Sequence, residues 1–174
     1  SSRSTLGPSG GLLHDPRTET GMQGAFVELP YVTSQVRSLR LDELLAGEDH
    51  IDFLKVDVEG HERSVLSGLG SLLHSVAVVV VEFRVWALDK EPDGPLRLLR
   101  ALAAANLTVW CFGPCETELK AVLLPEEEAY FSGGLLNPDD FDIFVELCRR
   151  TQEAFRDFDL LAVAKDRLQA VMQQ

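Results

Sequence analysis

The sequence predicts an α/β fold in which a mostly parallel, doubly wound sheet lies between two layers of helices. The residues of Val76–Phe83 form a continuous β-branched and apolar run, which is typical of strands covered on both faces, as in parallel sheets. Strand patterns and helix patterns also alternate along the chain, as they do in sheets built from right-handed crossovers. Together these observations predict a three-layer α/β/α architecture.

Apolar periodicity and turn residues predict the individual elements. Residues 1–24 are rich in Ser, Gly, Pro and Thr, which indicates an irregular N-terminal segment. The predicted strands are Ala25–Leu29, Val32–Leu39, Ile51–Val56, Val76–Phe83, Leu107–Phe112 and Asp159–Ala164. The predicted helices are Leu41–Leu45, His61–Leu73, Leu96–Ala105, Pro138–Phe155 and Lys165–Met172. Residues 113–137 fit no single element and are interpreted as an insertion, so we expect one domain over residues 1–174.

Composition limits the classes of partner. The chain has 174 residues, 45% of them hydrophobic and 25% charged, which suits one soluble domain with a real core. The formal net charge of −12 argues against a nucleic-acid partner, because phosphate contacts dominate such affinity, and against an anionic membrane surface. No apolar run approaches the roughly 20 residues that a membrane-spanning helix needs. A small-molecule substrate or a basic partner fits this balance better.

The cysteines indicate a reducing environment. Cys111, Cys115 and Cys148 are too few for a disulfide framework. Reduced thiols, and so an intracellular and by default cytoplasmic location, are therefore expected, although the sequence does not identify the compartment.

The candidate functional site follows the strand Ile51–Val56, where Asp57-Val58-Glu59-Gly60 precedes a helix pattern. Open α/β sheets hold ligands at the carboxyl ends of their strands, so Asp57 and Glu59 are the candidate catalytic residues. Two close carboxylates repel each other, so one of their pKa values should rise. The same pair could instead bind a divalent metal ion, and Asp57 could simply cap the following helix.

Other residues near this motif have competing interpretations. Gly60 suits a tight turn or a close backbone approach. His61 is a candidate base or a solvated residue, and Glu62 either contacts substrate or favours the helix dipole. Glu82 ends a very apolar strand, so it lines the site or forms an ion pair with Arg84.

The motif also carries a family resemblance. The segment Ile51–Gly68 closely resembles the signature of the FkbM-like methyltransferases. The resemblance continues upstream through Val36–Leu45, downstream through Val78–Phe83 and again at Asp159–Lys165. It is good over residues 34–112 and looser elsewhere.

The resemblance implies a function and a set of site residues. The family is similar to class I, Rossmann-like methyltransferases that use S-adenosylmethionine, in which Ile51–Val56 would be the fourth strand. It implies transfer of a methyl group to a hydroxyl of a sugar or small natural product. Asp57 and Glu59 would be catalytic, and Asp57 with Gly60 would contact the cofactor. Glu82, His61 and Glu62 would bind the acceptor.

One departure from the family pattern qualifies this expectation. The glycines of Gly7–Gly11 follow no strand and open no helix, so they fail the context test for a cofactor loop. The sequence therefore predicts the C-terminal half of the domain without its N-terminal cofactor-binding part. The alternative function is a non-catalytic remnant that binds a partner. Whether the cofactor-binding part is truncated or truly lost, the strand Ile51–Val56 would be an open sheet edge, available for pairing with a second copy of the chain.

Overall fold

The computed structural model describes residues 37–90, 92–112, 123–151 and 158–172. The chain divides into two units at Arg37, and the described residues from Ser38 onward belong to the second unit. The predicted irregular segment 1–24 and the predicted strand Ala25–Leu29 lie outside the described residues. Most of the predicted strand Val32–Leu39 also lies outside them, and its last residues, 37–39, are not in a strand.

Five strands and seven α-helices are found in the described residues. The strands are β1 (Ile51–Val56), β2 (Val76–Phe83), β3 (Leu107–Phe112), β4 (Ser132–Leu136) and β5 (Phe158–Ala164). The helices are α1 (Leu41–Leu44), α2 (Glu62–Gly68), α3 (Val85–Leu88), α4 (Gly94–Ala104), α5 (Pro125–Glu128), α6 (Phe141–Thr151) and α7 (Lys165–Met172). Short 3-10 helices cover Gly70–Ser75 and Pro138–Asp140.

The strands form a mixed sheet in the order β1-β2-β5-β3-β4. β1 and β2 are parallel, whereas β5 runs antiparallel to both β2 and β3, and β4 runs antiparallel to β3. The prediction of a mostly parallel sheet is therefore wrong for the described strands. The physical reason is that β5 inserts between β2 and β3 in the opposite direction, which makes both of its pairings antiparallel.

One face of the sheet carries the core. Alternate residues of β2, Val79, Val81 and Phe83, are fully buried with Leu160 and Ala162 of β5. Helix α4 packs against β3, α2 and α6 beside this face. The opposite face contains half-buried residues and some exposed ones, including Phe53 at 59% exposure. In the described part of the chain, β2 is thus fully buried on one face only. A second layer of helices on the other face of the sheet stays a prediction.

Local backbone geometry explains where the helices differ from their predicted bounds. The predicted helix His61–Leu73 is two elements, because α2 ends at Gly68 and a 3-10 helix begins at Gly70, whose φ of +56° does not continue the α-helix. Helix α4 begins at Gly94, two residues earlier than predicted, and Asn106 follows its end with a left-handed φ of 63°. A left-handed residue directly after the C-cap is a common way for a helix to end.

The buried thiols belong to this core. Cys111 and Cys148 are free and buried, and burial raises the pKa of both thiols, so both stay protonated at neutral pH. Cys115 lies outside the described residues. None of the helices in the described ranges is both long enough and apolar enough to cross a membrane.

Candidate active site

The parallel pairing of β1 with β2 brings the predicted acids together. Val56 pairs with Val81, so Asp57 and Glu82 follow at neighbouring positions at the carboxyl ends of the two strands. One carboxylate oxygen each from Asp57, Glu59 and Glu82 lies within 4.8 Å of the others. We call these three residues the acidic site. Their position matches the edge at which open α/β sheets hold ligands.

Two cations balance most of the negative charge of the acidic site. The Lys55 Nζ donates to Asp57 Oδ2 at 3.0 Å. The Arg84 guanidinium binds both glutamates, reaching Glu59 through Nη1 and Glu82 Oε1 through Nη2 at 2.7 Å. The ion pair that the sequence suggested between Glu82 and Arg84 is therefore present, and it lies inside the acidic site. Arg84 and Glu82 form the mostly buried part of the site, whereas Asp57 and Glu59 are open to solvent.

The neighbouring charges keep Asp57 ionised. The hydrogen bond and the charge of Lys55 lower the pKa of the Asp57 carboxyl, and the charge of Arg84 lowers it further. For Asp57 this direction is the opposite of the rise that repulsion between the acids alone would cause. Lys55, which the sequence did not place in the site, is the reason. Nor does Asp57 cap helix α2, because His61 occupies the N-cap position.

Replacing Lys55 with glutamine is expected to raise the pKa of Asp57 toward its ordinary value. The lowered pKa means that the native pairing stabilises the fold above the unfolded-state pKa of about 3.9 and that this contribution disappears as pH falls through the folded pKa. Carboxyl carbon NMR titration of Asp57 measures the change directly. Lys165→Gln, at the opposite end of the sheet, is the control. An unchanged titration in Lys55→Gln would show that Lys55 does not set the charge of Asp57.

The loop between β1 and α2 has an unusual backbone. Glu59 adopts a left-handed φ of 57°, and Gly60 follows with a φ of 95°. A Cβ on Gly60 would lie 3.0 Å from the Cβ of Ala87, so the loop packs closely on α3 at this position. The predicted use of Gly60 for a tight turn and close approach is confirmed.

The two residues after Gly60 differ in burial. His61 is exposed at the start of α2. Glu62 has 0% exposure, and its Oε1 accepts hydrogen bonds from the backbone N–H groups of Val58 and Gly60. Acceptor binding by His61, Glu62 or Glu82 stays a prediction, and Glu62 holds its own loop instead of facing solvent.

The family of the chain is decided by comparison with known proteins. The methyltransferase FkbM domain matches residues 4–107, more than half of the 174-residue chain. The chain belongs to this family. Family membership indicates methyl transfer and a methyl donor. No curated protein and no solved structure gave a significant match.

A further acid of this FkbM domain lies next to the acidic site. Asp159 of β5 pairs directly with Glu82 of β2. Asp57 is the main cause of the raised pKa of Lys55, and the charge of Asp159 adds to it. Sequence reasoning missed Asp159 because it lies near the start of the last strand, far along the chain from the motif. Only the antiparallel direction of β5 brings the start of that strand to the carboxyl end of β2.

The acidic site of the FkbM domain also has the chemistry of a cation site. Among the described residues, Asp57, Glu59 and Glu82 form the group whose oxygen atoms could hold a metal ion. Carboxylate oxygens suit hard divalent cations. However, Lys55 and Arg84 already place positive charges against all three carboxylates, which weakens the attraction for a metal ion.

Proposed function

We propose that this FkbM domain transfers a methyl group from S-adenosylmethionine to a hydroxyl oxygen of a small acceptor, such as a sugar or a small natural product. Family membership supports methyl transfer. The observation that carries the proposal is the acidic site at the carboxyl ends of two parallel strands. Ligands bind at this position in open α/β sheets, and carboxylates there can receive the proton of a reacting hydroxyl.

The charge of the acidic site supports the choice of methyl donor. S-adenosylmethionine supplies an electrophilic methyl group on a positively charged sulfur. The three carboxylates, Lys55 and Arg84 together carry one more negative than positive charge, which favours a cationic ligand. Asp57 is the proposed side-chain contact to the cofactor. Gly60 would contact the cofactor through its backbone, and Ala87 leaves little room for a larger residue at this position.

Asp57 is the carboxylate best placed to meet the acceptor. Arg84 holds both glutamates, and its side chain is only 16% exposed. The partner of Asp57 is Lys55, whose side chain is 56% exposed on a flexible stem. We propose that Asp57 accepts the hydrogen bond of the acceptor hydroxyl and orients its oxygen. Asp57 would take the hydroxyl proton as the oxygen bonds to the methyl carbon, while the bond from that carbon to sulfur breaks and its electron pair stays on the departing neutral thioether. The lowered pKa makes Asp57 a weak base, so orientation contributes much of its effect.

The partner predictions follow from the same proposal. A net charge of −12 fits a small-molecule acceptor and disfavours nucleic acid. Within the described sheet, β1 is an edge strand with β2 as its neighbour. Pairing of a second copy along β1 is a further proposal, because an edge strand presents backbone groups to other chains.

A labelled-cofactor assay tests the proposed function. Purified protein is incubated with S-adenosylmethionine carrying a labelled methyl group and a panel of sugars and small hydroxylated compounds, with and without a chelator. Mass spectrometry should find the label on an acceptor oxygen, with the same yield in both arms. Loss of methyl transfer in the presence of the chelator would indicate that the acidic site binds a metal ion instead of acting through a free carboxylate. No cofactor binding by calorimetry would favour a non-catalytic, partner-binding domain.

A further inference from the structure

The buried carboxylate of Glu62 binds the backbone of the loop that precedes its own helix. Its side chain lies at the first turn of α2 with 0% exposure, unusual for a glutamate, which is seldom fully buried unless paired. Oε1 accepts from the Val58 N–H at 3.2 Å and from the Gly60 N–H at 3.0 Å. The two amides converge on one oxygen, as in the concave anion-binding turns that successive backbone N–H groups form. The occupant of this turn is the protein's own side chain.

Glu59 lies between the two amides that Glu62 binds. Its φ of 57° is a left-handed conformation, which is unfavourable for a residue with a Cβ. The bonds from Val58 and Gly60 to Glu62 hold the backbone on both sides of Glu59. Such backbone geometry persists when the surrounding structure fixes it. Glu62 supplies that fixation from within the helix that follows the loop.

The held loop presents Glu59 to the acidic site. With its backbone in this conformation, the Glu59 side chain forms an ion pair with Arg84, which also binds Glu82. We propose that Glu62 is a positioning residue that fixes the Asp57–Gly60 loop so that Asp57 and Glu59 share one site with Glu82. This inference rests on the proposed methyl transfer for its catalytic consequence. Its structural consequence, the fixed loop, stands independently of the reaction.

The variant Glu62→Ala tests this role against simple stabilisation of the fold. Amide hydrogen exchange at Val58 and Gly60 should become at least about tenfold faster while the amides of β2 stay protected, because only the loop opens. The kcat should fall on the order of 100-fold with the KM for S-adenosylmethionine within about threefold, since a displacement of about 1 Å at reacting groups has such an effect.

Two further variants separate the possible explanations. Glu127→Ala is the control, because Glu127 also accepts a backbone N–H, that of Leu124, at the start of a different helix, α5. This variant should leave kcat and the amide exchange of Val58 and Gly60 unchanged. In Glu62→Gln, the amide oxygen can still accept both N–H bonds. Both amides should stay protected and kcat should stay within about tenfold of wild type.

Several outcomes would overturn the inference. Protected amides at Val58 and Gly60 in Glu62→Ala would show that the loop does not depend on Glu62. A 100-fold loss of kcat in Glu62→Gln with both amides still protected would assign the effect to charge instead of position, and would decide the matter even if Glu62→Ala failed to fold. If the wild type transfers no methyl group, the proposed function fails, and amide exchange alone decides the role of Glu62.

Discussion

Replacing Phe144 with alanine is expected to lower the free energy of unfolding by about 3–5 kcal/mol. Phe144 lies on α6 with 0% exposure, and its ring packs against three others. The ring centroids lie 5.8 Å from Phe83, 5.7 Å from Phe131 and 5.9 Å from Phe158. Such aromatic pairs add to the area that they bury. Truncation would leave a cavity shared by α6, β2, β5 and the turn before β4, with little freedom to collapse.

Urea unfolding followed by circular dichroism measures this change. The control is Ile143→Ala, the neighbouring residue on the same helix, whose side chain is 54% exposed and should change stability by less than about 1 kcal/mol. Both variants place alanine in α6, so helix propensity affects them similarly. A loss below about 1.5 kcal/mol in Phe144→Ala would mean that the four rings do not form the centre of the core.

The four packed rings, Phe83, Phe131, Phe144 and Phe158, also lie beside the strand end that carries the acidic site. Phe83 is the last residue of β2 and follows Glu82 directly. The Phe83 side chain faces the core, and the Glu82 side chain faces the acidic site. Successive side chains of a strand point to opposite faces. The ring of Phe83 therefore fixes the strand end from which Glu82 projects. Stability and site geometry are coupled at this point in the fold.

The strands of the core could be predicted because their patterns are local. β1, β2 and β3 have their predicted bounds, since short runs of β-branched and apolar residues between turn signals define them. β4 was missed because its Ser132-Gly133-Gly134 start lacks the apolar alternation of a strand. Helix α3 was missed because its four residues are all apolar and show no helical alternation of apolar and polar positions.

The direction of the strands and the ion pairs of the site are tertiary information. The sequence places Asp57 and Glu82 at strand ends, and a parallel β1–β2 pair is enough to bring them together. It does not show that β5 is antiparallel, so Asp159 could not be placed beside Glu82. The lowered pKa of Asp57 depends on the Lys55 side chain reaching past Val56 to its carboxylate, which residue types alone do not determine.

Replacing Asp57 with asparagine is expected to lower kcat by about 10²–10³-fold. Asparagine keeps the shape of the side chain and an oxygen that Lys55 can bind, but it loses the negative charge that orients the acceptor hydroxyl and accepts its proton. Because Asp57 forms a solvent-exposed ion pair, overall stability should change little. The KM for the acceptor should change less than kcat if the carboxylate acts mainly as the reaction proceeds.

The pH dependence of kcat gives Asp57→Asn a sharper signature. In the wild type the lowered pKa of Asp57 keeps the carboxylate ionised at neutral and mildly acidic pH, so kcat should fall on the acid side only as pH drops through that pKa. The variant should lack this acid limb. Asp52→Asn, on the strand β1 that precedes Asp57 and with a side chain that is 93% exposed, should retain both kcat and the acid limb. If Asp57→Asn kept the kcat of the wild type, the Asp57 carboxylate would have no part in the reaction, and Glu59 or Glu82 would be the proton acceptor.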